Sequence, residues 1–357
     1  MPETPTAPVT GSHESVIKDV LSWLEQGRRV WLCTIVETWG SSPRPAGSWL
    51  AVSDTGQWSG SVSGGCLEED LLRRTAHEGS DYPVVVDYGI TDNDRDDFRL
   101  PCGGRIRLLV EPLGAASDNS SAIAHVRQLA GALSHRNPVA RRVILQNNLQ
   151  NTSKSAYRST DQSSMTLQLP EPASDEPSIV FDGQELRHTL RPECRLLLIG
   201  AGEVARYVAE FAGAADFTVT LCEPRETFAS GWGHPKLPLD RRLPDDVIVE
   251  SFSDSWCGVL ALAHDPRIDD MGLLAALQSP AFYVGAMGSK RTSEARRERL
   301  ASLGLGDAEL QRLRAPVGID IPSKTPAEIA ISVVADLIAA RHHLRTTHEP
   351  CSSSFGK

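Results

Sequence analysis

Two cysteines, each beside a pair of glycines, are the residues of this chain best equipped for chemistry: Ser63-Gly64-Gly65-Cys66 and Cys102-Gly103-Gly104. Glycines admit the left-handed backbone of a tight turn and let main-chain amides approach a ligand. After Cys66, the apolar positions Leu67, Leu71 and Leu72 predict an amphipathic helix, which puts the thiol at a helix N-terminus. The partial positive charge there lowers a thiol's pKa, a property suited to a soft metal or a sulfur-rich cofactor. Singly, each cysteine reads as a small buried apolar residue and each glycine pair as a turn. Their repetition at two element boundaries suggests one site built from two loops.

Other stretches carry groups for holding anions. The loop from Glu37 to Gly47, with Ser41 and Arg44, presents hydroxyls, amides and a guanidinium. Farther on, the apolar run Leu196 to Ile199 leads into Gly200-Ala201-Gly202 and a helix through Ala214, and a second strand ends at Glu223. This is the order of a dinucleotide-binding fingerprint, in which the acid about twenty residues on accepts a ribose hydroxyl. Two later turns fall at the carboxyl ends of predicted strands: His264-Asp265, readable as an acid–base pair, and Gly288-Ser289-Lys290-Arg291, readable as a phosphate clamp.

The elements that must position these groups follow from periodicity. Ser12 is expected to cap a first helix whose apolar residues run from Val16 to Leu24, ended by Gly27. Strands are predicted at Val30 to Val36, at Trp49 to Ser53 hairpinned with Gln57 to Val62, at Tyr82 to Tyr88 and at Arg105 to Glu111. A helix from Ile123 to Leu133 and strands at Val139 to Leu145, Met165 to Leu169 and Ile179 to Phe181 extend this part, which closes in a linker. Beyond it, strands at Val219 to Cys222, Val247 to Val249, Gly258 to Ala263 and Phe282 to Ala286 alternate with helices, the pattern of a doubly wound parallel sheet. The capping box Thr325 to Glu328 opens a last long helix. The expected fold class is therefore α/β: a disordered leader over 1–11, a mixed N-terminal domain over 12–192, a Rossmann-like domain over 193–345 and a disordered tail over 346–357.

Composition narrows the partners. A net charge of −10 argues against a sequence-independent grip on nucleic acid or an anionic membrane. Seven scattered cysteines form no small-domain disulfide pattern, so a reducing, cytoplasmic setting is expected. No apolar run is long enough for a membrane span, and no paired Cys-x-x-Cys spacing predicts structural zinc.

Taken together, four segments resemble the XdhC/CoxI family, the xanthine dehydrogenase accessory proteins. They are Thr38 to Gly47, Gly60 to Glu68, the turn Gly200 to Ala205, and Tyr283 to Arg291 continuing through Pro316 to Ala330. The resemblance implies a carrier of molybdenum cofactor, as molybdopterin or its cytosine dinucleotide form, and not a catalyst. It would protect the cofactor while a cysteine desulfurase supplies a sulfido ligand, then deliver it to a molybdenum hydroxylase of the xanthine or aldehyde dehydrogenase type. It implies molybdenum contacts at Cys66 and Cys102, and it suggests a homodimer. The rival reading is an NAD(P)-dependent oxidoreductase using Glu223 for the ribose and His264 near the nicotinamide; a third is a scaffold that docks both partners without touching cofactor.

Overall fold

In the computed structural model, which describes residues 12–40, 42, 44–65, 67–78, 81–89, 104–114, 119–146, 164–168, 171–172, 178–234 and 237–346, the chain divides between Pro192 and Glu193 into two units.

Unit 1 is built on antiparallel pairing. Helix α1 (His13–Glu25) starts where the Ser12 hydroxyl accepts the Ser15 N–H at 3.2 Å. Strand β1 (Val30–Trp39) then pairs with β2 (Trp49–Ser53), and β2 with β3 (Trp58–Gly60). After α2 (Glu68–Glu78), β4 (Val84–Tyr88) and β5 (Arg105–Leu113) complete a five-stranded sheet of order β3-β2-β1-β5-β4. Both faces of β1 are apolar because both are covered. Val30 and Leu32 pack with α1 and α3 (Ser120–Ser134), whereas Trp31, Cys33 and Ile35 pack with Leu67, Leu71 and Tyr88.

A second antiparallel sheet follows: β6 (Val139–Gln146), β7 (Ser164–Leu167), β8 (Glu171–Pro172), β9 (Ile179–Phe181) and β10 (Glu185–Leu190). The stretch read as a linker thus contains β10, which sits between β6 and β9. It escapes a periodicity reading because its inward positions are Leu186, His188 and Leu190, with a histidine in the middle of the buried face. Opposite His188 stands Arg141, fully buried, whose Nη2 donates to Glu111 Oε1 at 2.5 Å while Thr34 Oγ1 donates to Glu111 Oε2 at 3.2 Å. Burial pushes the Glu111 carboxyl up, against the pull of Arg141, and burial together with Glu111 pushes the Cys33 thiol up to about 12. Cys33, Cys194, Cys222 and Cys257 are all buried, and a dry thiol whose pKa is raised, as those of Cys33 and Cys222 are, is inert.

Unit 2 is a six-stranded, wholly parallel sheet of order β13-β12-β11-β14-β15-β16. Its strands are β11 (Arg195–Ile199), β12 (Thr218–Cys222), β13 (Leu239–Asp240), β14 (Cys257–Ala261), β15 (Tyr283–Ala286) and β16 (Leu313–Arg314). Numbered within the unit this is 3-2-1-4-5-6, the dinucleotide-binding order. Leu196 and Leu198 pack with α4 (Glu203–Ala214), Leu197 and Ile199 with the opposite layer. That layer includes α6 (Pro244–Ser251), which follows the one-turn α5 (Glu226–Ala229) and precedes α7 (Pro266–Gln278), α8 (Lys290–Ser302) and α9 (Asp307–Gln311). The final helix, α10 (Pro326–Thr346), packs on the same side as α4.

Val247 to Val249 is therefore helical, contrary to the strand expected from three β-branched residues in a row. Pro244 at the first helical position and Asp245 and Asp246 in the first turn start the helix; Val247 and Ile248 are buried, and Val249 is 70% exposed. The capping box of α10 forms as read: Glu328 Oε2 accepts the Thr325 N–H at 2.9 Å, and the Thr325 hydroxyl accepts the Glu328 N–H at 3.3 Å. Among the described residues no helix is long and apolar enough to cross a membrane.

Candidate functional site

In unit 1 one end of the first sheet gathers the predicted loops. Trp39 at the end of β1 pairs with Arg105 at the start of β5, and Tyr88 at the end of β4 pairs with Ile106. The loop bearing Arg44 leaves from Trp39, and Gly89 and Gly104 meet so closely that a Cβ on Gly89 would lie 2.5 Å from the Gly104 carbonyl oxygen. Helix α2 begins at the same end, because the Tyr88 hydroxyl donates to Asp70 Oδ2 at 2.9 Å. Ser41, Cys66, Cys102 and Gly103 lie outside the described residues. Gly104, next in sequence to Gly103, lies at this end.

The Gly64–Gly65 turn differs from expectation in one respect. Its tip is exposed, and both glycines have positive φ, 77° and 122°. Yet its amides are not open to a ligand: the anion they hold is the chain's own Glu68. The amides of Val62, Ser63 and Gly65 each donate to the Glu68 carboxylate at 2.9 Å, the Ser61 hydroxyl donates at 2.7 Å, and the Ser63 hydroxyl joins them. Burial raises the Glu68 pKa, but the bonds from Ser63, Ser61 and Val62 outweigh it and hold the group at about 2. The Glu68 side chain reaches back over a turn, as an acid in the first turn of a helix does.

In unit 2 the predicted residues all lie at the carboxyl edge of the sheet. Gly200 has φ 106°, and a Cβ there would come within 2.5 Å of Ala263 Cα, so the turns after β11 and β14 touch only because residue 200 is glycine. Gly202 is the N-cap of α4 with φ −90° and ψ 176°, a conformation open to any residue, and a Cβ there would meet no protein atom within 4 Å. Gly202→Val is therefore expected to leave the melting temperature within about 2 °C of wild type while weakening any ligand seated on this turn, as read by a binding titration.

Glu223 does not offer its carboxylate to solvent. It is fully buried and accepts four donors: Ala201 N–H at 3.0 Å and Arg225 Nη2 at 2.7 Å on Oε2, Arg225 N–H at 3.0 Å and Arg225 Nε at 2.7 Å on Oε1. Burial works to raise its pKa, and Arg225 with the Ala201 amide overrides it and lowers the value. A carboxylate has about four lone-pair positions, so none is left for a ribose hydroxyl. Arg225 was not singled out from the sequence, although Glu-Pro-Arg at a strand end carries the signal: residues two apart on an extended chain share a face.

His264 is exposed and held at φ 55°, a left-handed conformation that costs energy in a non-glycine residue. Asp265 is not its acid–base partner but the N-cap of α7, accepting the Arg267 N–H at 3.1 Å and pairing with the Arg267 guanidinium at 2.9 Å. Behind this turn a buried pair sets its position: Asp269 accepts the Ala263 N–H at 3.0 Å and Arg296 Nη2 at 3.2 Å, and Arg296 Nη1 donates to the Met287 carbonyl at 3.0 Å. Gly288 precedes Ser289, the N-cap of α8, whose hydroxyl accepts the Thr292 N–H at 3.2 Å; Ser289, Lys290 and Arg291 lie at the same sheet edge, the two cations exposed. Among the described residues no group of three or more His, Cys, Asp or Glu lies close enough to hold a metal ion.

Both units find counterparts among known proteins. Residues 196–337 match the family model described as the XdhC Rossmann domain, and residues 23–89 match that of the XdhC and CoxI family. The molybdenum cofactor insertion chaperone PaoD of Escherichia coli (strain K12) is 27% identical over 336 residues, covering 94% of this chain and 91% of that protein. A probable xanthine dehydrogenase subunit of Bacillus subtilis (strain 168) is 24% identical over 332 residues, 89% of this chain and 95% of that one. In fold, the chain is similar to a crystal structure of a xanthine dehydrogenase from Bacillus halodurans, with a TM-score of 0.68, 23% identity, and coverage of 96% of this chain and 98% of that one.

Proposed function

Because the chain belongs to the XdhC/CoxI family, we propose that it is a carrier of molybdenum cofactor that serves a molybdenum hydroxylase of the xanthine or aldehyde dehydrogenase type. The cargo is molybdopterin-bound molybdenum, with or without a cytosine nucleotide. The carrier shields it while a cysteine desulfurase supplies the sulfido ligand, and then hands it on, acting as a homodimer in the cytoplasm. The observation that supports this reading is that the Trp39, Tyr88 and Gly104 ends of neighbouring strands and the first turn of α2 lie at one end of the first sheet, the end from which the loop bearing Arg44 departs. In sequence Cys66 stands between Gly65 and Leu67 and Cys102 two residues before Gly104, and thiols suit a soft metal held by a dithiolene. Arg44, with Ser41, Gly64, Gly65, Gly103 and Gly104, would surround the organic part.

In the second unit the groups suited to a phosphate are Ser289, Lys290 and Arg291, a hydroxyl and two exposed cations at the start of a helix. The oxidoreductase alternative loses its ribose acceptor, since Glu223 is occupied.

The test is co-purification. The chain and its Cys66→Ser and Cys102→Ser variants are expressed in a host that makes molybdenum cofactor, and bound molybdenum and pterin are measured. Each variant is expected to retain less than about a tenth of the wild-type molybdenum, a loss of about 1.4 kcal/mol or more in binding. Unchanged occupancy in both would remove the thiols from the site.

A further inference from the structure

We propose that Arg225 is a selectivity residue: it fills the nucleoside half of the crevice at the carboxyl edge of the parallel sheet and bars NAD(P), and any other ligand whose nucleoside must sit there. In sheets of this strand order a dinucleotide lies across the point where the order reverses, its pyrophosphate over the glycine turn and its ribose on the acid ending the second strand. Here that acid is Glu223, and Arg225 takes three of its four acceptor positions through a backbone amide and two guanidinium nitrogens. The remaining nitrogen, Nη1, points across the crevice toward β14, 3.4 Å from the Ala263 carbonyl oxygen and 3.9 Å from Asp265 Oδ2. The guanidinium carbon lies 4.2 Å from the Phe228 ring centroid, so the ring covers a face of the cation. Both edges and one face of the guanidinium are thus engaged.

A ribose hydroxyl can reach Glu223 only if Arg225 leaves, and leaving strips a buried carboxylate of charge-assisted bonds.

The experiment titrates the full chain with NADH, following nucleotide fluorescence and the melting temperature, with no molybdenum cofactor present. Wild type is expected to show neither saturation nor a melting shift. Arg225→Ala, which returns lone pairs to Glu223 and opens the slot, is expected to bind NADH saturably and at least about tenfold more tightly. Should that variant fold poorly, Arg225→Lys keeps a positive charge without the bidentate fork and is expected to show a smaller gain. Saturable binding by wild type equal to that of the variants, or no gain in either folded variant, would overturn the proposal. Neither result bears on the thiol test, and the thiol test does not bear on this one.

Discussion

Arg141→Met is expected to cost the first unit about 3–5 kcal/mol, because it leaves the fully buried Glu111 carboxyl without its cation, either charged and unpaired or forced to take up a proton. That is a large share of the 5–15 kcal/mol a domain typically has, so the variant should melt far below wild type or accumulate unfolded at 37 °C. The same substitution made together with Glu111→Leu is expected to recover most of the loss. A buried ion pair contributes little net free energy over an apolar pair of similar volume, whereas one partner alone is heavily penalised. Thermal denaturation of the two variants side by side separates these terms. Equal melting temperatures for the single and double variants would mean that Arg141 matters for its packing against Trp49, whose ring centroid lies 5.5 Å from the guanidinium carbon, and not for its charge.

The second large effect belongs to Glu68. In Glu68→Gln the two carboxylate oxygens become one acceptor and one donor, so amides of Ser63 or Gly65 are left facing an N–H group. A loss of about 2 kcal/mol is expected, after discounting for solvent that reaches the site past the exposed tip at Gly64 and Gly65. The pH dependence follows from the lowered pKa. Unfolded, Glu68 titrates near 4.5, and folded at about 2. Its stabilisation is therefore complete above the unfolded value and is lost as pH falls from 4.5 toward 2. Acid denaturation followed by circular dichroism should show wild type losing stability across this window more steeply than Glu68→Gln, with the two curves converging at its acid end.

Two acids, Glu68 and Glu223, mark the limit of what is legible in the sequence. The parallel unit was legible in outline because its central strands are buried on both faces and so appear as unbroken apolar runs, Leu196 to Ile199 above all. Glycine turn, helix and acid followed in a fixed order, and the capping box of the last helix is a purely local motif. What the sequence could not say was how the charged residues would pair. Glu223 stands where a ribose-reading acid belongs, but its hydrogen-bond-accepting capacity is spent on the Ala201 amide and on an arginine two residues away. The glycine turn of unit 1 has the amides of an anion nest, and the anion turned out to be intramolecular, supplied by the first turn of the helix that follows. Strand β10 was hidden for a related reason: its central inward residue, His188, is a polar group that only the facing sheet could bury.

The parallel sheet of unit 2 is bounded on either side by strands of two residues each, Leu239–Asp240 and Leu313–Arg314. A row of free N–H and C=O groups is what lets a foreign strand add to a sheet, and two-residue rims offer almost none. Concentrated solutions of this unit should accordingly stay free of cross-β fibrils, since templated growth has no rung on which to begin.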